Sequence, residues 1–190
     1  MNKKSIMIDM DEVIVVGNFS KYIEEFLGNV DFGQLKPGQY RQDLIKGKEE
    51  EFGDIYRYKS LYAERNGNYI EPLPNCVEVI RKLNECYDIY IVTGYVWKKN
   101  VIDAAMNLKN KFEYLHYWLP FIDTNNFIFI SDKTKMKFDV GIDDRIANLE
   151  NCEKKLLFTE FRNKKLSDDE LEGKGVIRVN DWLEVQKELL

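Results

Sequence analysis

Short apolar runs recur along the chain, and several stop at a hydroxyl or an acid. Ile6-Met7-Ile8 leads into Asp9 and Asp11, Ile89-Tyr90-Ile91-Val92 into Thr93-Gly94, and Val140-Gly141-Ile142 into Asp143-Asp144. Runs this short, bounded by polar residues, predict buried strands. Strands are expected at 5–9, 89–93, 127–130, 139–142, 156–159 and 176–179. Between them the spacing turns helical. Phe19, Tyr22, Ile23, Phe26 and Leu27 share one helical face, and Gly28-Asn29 stops that helix. Asn75, with Glu78 three residues on, predicts a capped helix over 75–87. Helical segments are expected from Trp97 to Leu119, broken near Asn110, and Asp181 caps a last helix over 182–190. Strands alternating with helices predict an α/β fold, a doubly wound and mostly parallel sheet.

The stretch from about Val30 to Ile70 breaks this alternation. It is rich in Tyr, Phe and charge, with scattered glycines, and predicts short helices joined by turns. Glu71-Pro72-Leu73-Pro74 is a stiff link back to the alternating part. The expected organisation is a core of 1–14 and 74–190 with a small helical insertion, 15–73, after the first strand. Ten aromatics fall in that insertion: Phe19, Tyr22, Phe26, Phe32, Tyr40, Phe52, Tyr56, Tyr58, Tyr62 and Tyr69. Most must build its own small core, leaving two or three to face a ligand. Phe19, nearest the first acidic pair, is the first choice.

Composition narrows the classes. The 190 residues are 44% hydrophobic and 32% charged, ordinary for a soluble globular chain with a real core. A formal net charge of −5 argues against a surface for duplex nucleic acid. No apolar run is long enough to span a bilayer, and Asp9 and Asp11 interrupt what would be a leader's apolar stretch, so a cytoplasmic protein is expected. Cys76, Cys86 and Cys152 are irregularly spaced, and His116 is the lone histidine. Neither a zinc site nor a Ser–His or Cys–His nucleophile has support, and the cysteines are expected to be reduced, buried thiols. The charged run from Arg162 to Lys174 predicts a solvated loop and short helix.

The chemistry gathers at the ends of the strands. Side chains two apart on a strand point the same way, so Asp9 and Asp11 crowd two carboxylates together. Asp143 and Asp144 crowd another pair, and Lys133 lies ten positions before it. Clustered carboxylates ask for a cation, and oxygen ligands suit Mg²⁺. Open parallel sheets bind ligands at the edge where their strands end. Acids, a hydroxyl with a flexible glycine N–H, and a lysine would hold a phosphate beside a metal there. Each residue alone also has a bland reading, as a turn former, a strand end or a surface lysine.

Taken in order, the four segments resemble the four motifs of the haloacid dehalogenase (HAD) superfamily of phosphohydrolases. Asp9-Met10-Asp11-Glu12-Val13 matches the first, Thr93 the second, Lys133 the third and Asp143-Asp144 the fourth. The wording Asp132-Lys133-Thr134, then Ile142-Asp143-Asp144-Arg145, is similar to the 5'(3')-deoxyribonucleotidases. The chain departs from that family at Glu12, where glycine is usual, and at Gly17-Asn18-Phe19, where Asp-Phe is usual. The resemblance implies a HAD-like Rossmannoid core with a cap after the first strand. It implies Mg²⁺-dependent hydrolysis of a nucleoside monophosphate, a deoxyribonucleotide by preference, through an aspartyl-phosphate.

Under it Asp9 is nucleophile and metal ligand. Asp11 is general acid and base, with its carbonyl on the metal. Thr93, Gly94 and Lys133 hold the phosphate, Asp144 ligates the metal with Asp143 in support, and Phe19 stacks on the base. Two other readings stay open: a phosphatase for another small ester such as a sugar phosphate, and a non-catalytic nucleotide-binding module. The sequence leaves monomer and homodimer both open.

Overall fold

The structure is a computed structural model; it describes residues 3–35, 41–56, 60–64, 66–94 and 101–190. Six strands form one sheet: β1 (Lys4–Ile8), β2 (Tyr87–Thr93), β3 (Phe127–Phe129), β4 (Phe138–Asp143), β5 (Cys152–Phe158) and β6 (Val176–Val179). Their order is β3-β2-β1-β4-β5-β6, and every pairing is parallel. The chain winds outward from β1 in both directions, so β1 and β4 flank the switch point where such sheets open a crevice. Ile8 pairs with Ile91 on one side and Ile142 on the other, which brings the three strand ends level.

Strand alternation divides the core. Ile6, Ile8, Ile89, Ile91, Val140 and Ile142 face one way, against helices α3 (Cys76–Cys86), α4 (Val101–Trp118) and α6 (Trp182–Leu189). Met7, Val92 and Leu157 face the other, in a cluster with Phe138 at the start of β4, Leu149, and Leu171 of the short α5 (Asp168–Glu172). Gly141 is glycine for want of room: a Cβ there would lie 2.5 Å from Cys152 Sγ and 2.8 Å from Leu149 Cδ2.

A third cluster stands apart. Tyr22 and Ile23 of α1 (Phe19–Leu27), Ile45 of the 3-10 turn Arg41–Ile45, and Phe52 and Tyr56 of α2 (Glu49–Tyr56) form it. Tyr22 stacks on Tyr56 at 4.8 Å and bonds Ser60 O at 2.8 Å. Tyr62, Tyr69 and Ile70, from the same stretch of sequence, pack on the main core instead. Tyr40 and Tyr58 lie outside the described residues.

Several local expectations need correction. Asn75 precedes α3, but with φ of 64° and no side-chain cap bond; asparagine is one of the few residues with a side chain that enters the left-handed region readily. α4 runs unbroken through Asn110 because packing of Tyr114 and Leu115 outweighs asparagine's weak helix preference; residues 97–100 lie outside the described residues. Cys76 and Cys152 are buried free thiols, but Cys86 is exposed at the end of α3. Asp181 caps α6 as expected, accepting from Glu184 N. Among the described residues no helix is long and apolar enough to cross a membrane.

Candidate active site

Asp9 follows β1 immediately, its N–H bonded to Ile142 O at 2.9 Å. The chain then makes a tight loop: Ile14 N bonds Met10 O at 2.8 Å, and Glu12 N bonds Val15 O at 2.9 Å. Glu12 has φ of 64°, the left-handed region that glycine enters freely. The loop is braced from behind by buried Trp182, whose indole N–H bonds Val13 O at 2.9 Å.

Lys133 enters from the 3-10 turn Lys133–Lys135, shaped by Asp132 accepting from Thr134 N. Its Nζ lies 2.6 Å from Asp9 Oδ1 and 2.7 Å from Asp143 Oδ2. Asp143 is wholly buried and satisfied, accepting also from Arg145 N at 2.9 Å and Asn148 Nδ2 at 3.0 Å. Asp144 is paired with Arg162. Carboxylate oxygens of Asp9, Asp143 and Asp144 all lie within 4.8 Å of one another. Among the described residues this is the one acidic cluster with that geometry.

Burial pushes the Asp9 carboxyl up to about 6; Lys133 opposes the rise, and Asp143 and Asp11 add to it. Burial likewise lifts Asp144 well above the usual carboxylate range, against the pull of Arg162 and helped by Asp143 and Asp9. For Lys133, burial works to lower the amine, but Asp143 and Asp9 outweigh it and raise it. Three carboxylates this close could hold a divalent ion, for which a hard, all-oxygen, anionic donor set is suited. Asp11's carboxylate stands apart from that cluster. Its Oδ1 accepts from Tyr62 at 2.7 Å and its Oδ2 from Lys111 at 2.5 Å. Burial raises Asp11, but Lys111, Tyr62 and Lys133 together bring it below its ordinary value.

Thr93, the last residue of β2, is fully buried and accepts from Lys111 at 2.6 Å. Gly94 follows it. Asp9, Asp11, Thr93, Lys133, Asp143 and Asp144 therefore meet at one sheet edge. The Phe19 ring meets Phe52 edge-on at 5.9 Å and packs against the third cluster.

Four participants escaped sequence reasoning. Lys111 was findable, as a lysine in the apolar stripe Ala104, Leu108, Tyr114, Leu115. Tyr62 was read only as one of the aromatics. Arg162 and Glu160 gave no local signal. The run from Arg162, expected to be solvated, begins inside the site: Arg162 joins Asp144 and Glu160, and buried Asn163 bonds Asp144 O at 3.0 Å. Glu12 is paired with Arg41, which reaches Glu160 at 3.0 Å and lies 4.3 Å over the Phe161 ring.

The fold and the acidic strand ends define a HAD-like hydrolase. Solved structures agree: a HAD-like hydrolase from Streptococcus pneumoniae aligns at TM-score 0.53 and 16% identity over 99% of both chains. A Bacillus subtilis HAD hydrolase solved with bound magnesium aligns at TM-score 0.51 and 13% identity over 100% of this chain and 99% of that one. The sequence is more particular. Residues 3–190 match the family described as 5' nucleotidase, deoxy (pyrimidine), cytosolic type C, and the chain belongs to that family. The 5'(3')-deoxyribonucleotidase of Bacillus subtilis is 31% identical over 191 residues, covering 99% of both chains. The protein is thus a phosphoric monoester hydrolase of the 5'-nucleotidase type, with a nucleotide as substrate.

Proposed function

We propose that the protein is a Mg²⁺-dependent nucleotidase for deoxyribonucleoside monophosphates that works through an aspartyl-phosphate on Asp9. The observation that carries this reading is the meeting of Asp9, Lys133, Asp143 and Asp144 at one sheet edge, with three carboxylates within 4.8 Å. The name carried by the Bacillus subtilis relative supports the deoxynucleotide. Asp9, Asp144, the supporting Asp143 and the backbone carbonyl of Asp11 would hold the ion. When bound, it supplies positive charge to the phosphate oxygens and to the attacking carboxylate.

An Asp9 oxygen attacks phosphorus as the ester P–O bond breaks, and Asp11 gives its proton to the departing alkoxide. A water then attacks the same phosphorus, its proton passes to Asp11, and the P–O bond to Asp9 breaks. In the free site Asp11 is held as a carboxylate, the form that takes a proton from water. The arriving phosphate, an anion beside it, raises its proton affinity and prepares it as an acid. Lys133, the Thr93 hydroxyl and the Gly94 N–H match the phosphate's charge, an effect typically worth about 3–4 kcal/mol per group.

Residues 15–73 serve as a cap over this edge, and Phe19 is the proposed base-stacking ring. Pairings of Asn18 with Leu61 and Ala63 at 2.8 Å each tie the two connecting strands together, as a hinge requires. A panel of phosphomonoesters assayed with Mg²⁺ tests the substrate. Deoxynucleoside monophosphates should turn over fastest. Sugar phosphates hydrolysed as well or better would reject the nucleotide assignment, and nucleotide binding without any turnover would reject the catalytic one.

A further inference from the structure

The buried face of α4 carries Ala104, Tyr114 and Leu115, and one member out of character, Lys111, only 1% exposed. Lysine is almost never so buried without partners, because an ammonium taken from water must regain its bonds. Lys111 Nζ bonds two residues of the proposed reaction: Asp11 Oδ2 at 2.5 Å and Thr93 Oγ1 at 2.6 Å. Tyr62, also 1% exposed, holds the other Asp11 oxygen at 2.7 Å. Both donors come from outside the four motif segments, and their hydrogen bonds go to Asp11 and Thr93.

We propose that Lys111, assisted by Tyr62, is a positioning residue for phosphoryl transfer: it fixes the carboxylate of Asp11 and aims the proton of Thr93 at the phosphate. This rests on the assignment of Asp11 as acid and base made above. The argument is one of donor inventory. An ammonium has three donors and no acceptor. Thr93 Oγ1 must therefore accept from Lys111, which leaves its own proton free for a different acceptor. The acceptor present, Gly94 O, is 3.4 Å away and poorly placed to keep that proton once a phosphate oxygen arrives. At the same time Asp11 has one donor on each oxygen, so its carboxylate plane is set from two sides. A single amine thus couples the orientation of the proton carrier to that of a phosphate donor. Rigid support of this kind is what a near-attack geometry needs.

The test compares Lys111→Met with Asp11→Asn by rapid quench, reading phosphoenzyme formation in single turnover. Two substrates are used, a deoxynucleoside monophosphate and a nitrophenyl phosphate, whose leaving group needs little protonation. Methionine keeps the length of the stem and removes every donor, and thermal melting checks the fold. Lys111→Met is expected to slow the nucleotide roughly 10–100-fold, the scale seen when supporting partners around a site are removed. It should slow the nitrophenyl ester clearly less, and KM should rise for both as Thr93 loses its orientation. A loss within about threefold, or equal losses on the two esters while Asp11→Asn discriminates between them, overturns the role of Lys111 alone. Equal losses in Asp11→Asn itself overturn the acid assignment, and this inference with it. If Lys111→Met fails to fold, Tyr62→Phe, which deletes one buried oxygen, carries the same comparison with the same outcomes.

Discussion

Asp9, the proposed nucleophile, is buried among acids, and its surroundings balance only part of their charge. Lys133 bridges Asp9 and Asp143, and Arg162 covers Asp144, so two cations face three carboxylates. The shortfall appears as the Asp9 carboxyl pushed up to about 6 by burial, with Asp144 raised as well. A group whose proton is held more tightly in the folded state than in the unfolded one stabilises the fold while protonated. That stabilisation is lost as pH rises through about 6, where a divalent ion held as proposed would take over the proton's place. Magnesium affinity measured by calorimetry should therefore fall as pH drops below about 6, by up to about tenfold per unit for each proton displaced, with protons released on binding. An affinity unchanged between about pH 5 and 7.5 would mean that these carboxylates do not gather on the ion. At this scale the sequence was informative for acids and silent for their counter-ions. Asp9, Asp11, Asp143 and Asp144 stand in short motifs, whereas Arg162 meets Asp144 across 18 residues through the fold of a loop.

At the scale of elements, the strands were legible because each is a short apolar run closed by a polar residue. Their ends fell within a few residues of expectation, and the site follows from them, since side chains at level strand ends must meet. What composition did not reveal were features set by neighbours. Asn75 looks like a cap and is a left-handed joint; Asn110 looks like a break and lies within one long helix. Gly141 looks like a weak point in a strand and is a packing requirement. Gly141→Ala should cost about 1–3 kcal/mol, because the new methyl meets Cys152 and Leu149 with no room to retreat. Pairing it with Cys152→Ala should return part of that loss in thermal or denaturant melting. Full additivity of the two changes would show that the crowding at this position is not the cause.

For the whole molecule, the question is how the cluster of α1, Arg41–Ile45 and α2, the proposed cap, is held to the sheet. Arg41, from the 3-10 turn beside the cap cluster, pairs with Glu12 on the loop after β1 and with Glu160 after β5. Glu12 accepts a left-handed backbone conformation in order to stand there, a strain of about 1–3 kcal/mol for a residue with a side chain. Burial pushes its carboxyl above the usual value despite Arg41. The ion pairs of Arg41 therefore tie the Arg41–Ile45 turn to the loops after β1 and β5 more than they add net stability. Arg41→Ala should lower the melting temperature, because it leaves buried Glu12 without its cation, and should speed hydrogen exchange in α1 and in Arg41–Ile45. If the proposed cap closes over the substrate, the substitution should also raise KM for nucleotide. Exchange in those segments as slow as in the parent protein would count against Arg41 as the tie.

The central claim is that Asp9 attacks the phosphorus of a nucleotide, and its most direct test is the turnover of Asp9→Asn under saturating Mg²⁺ and deoxynucleotide. The substitution keeps the size of the side chain and removes the attacking charge. The account predicts a fall in kcat of several orders of magnitude, on the order of 10³ or more, in a protein that melts as the parent does. Turnover within about tenfold of the parent, in a preparation free of contaminating phosphatase, would contradict it.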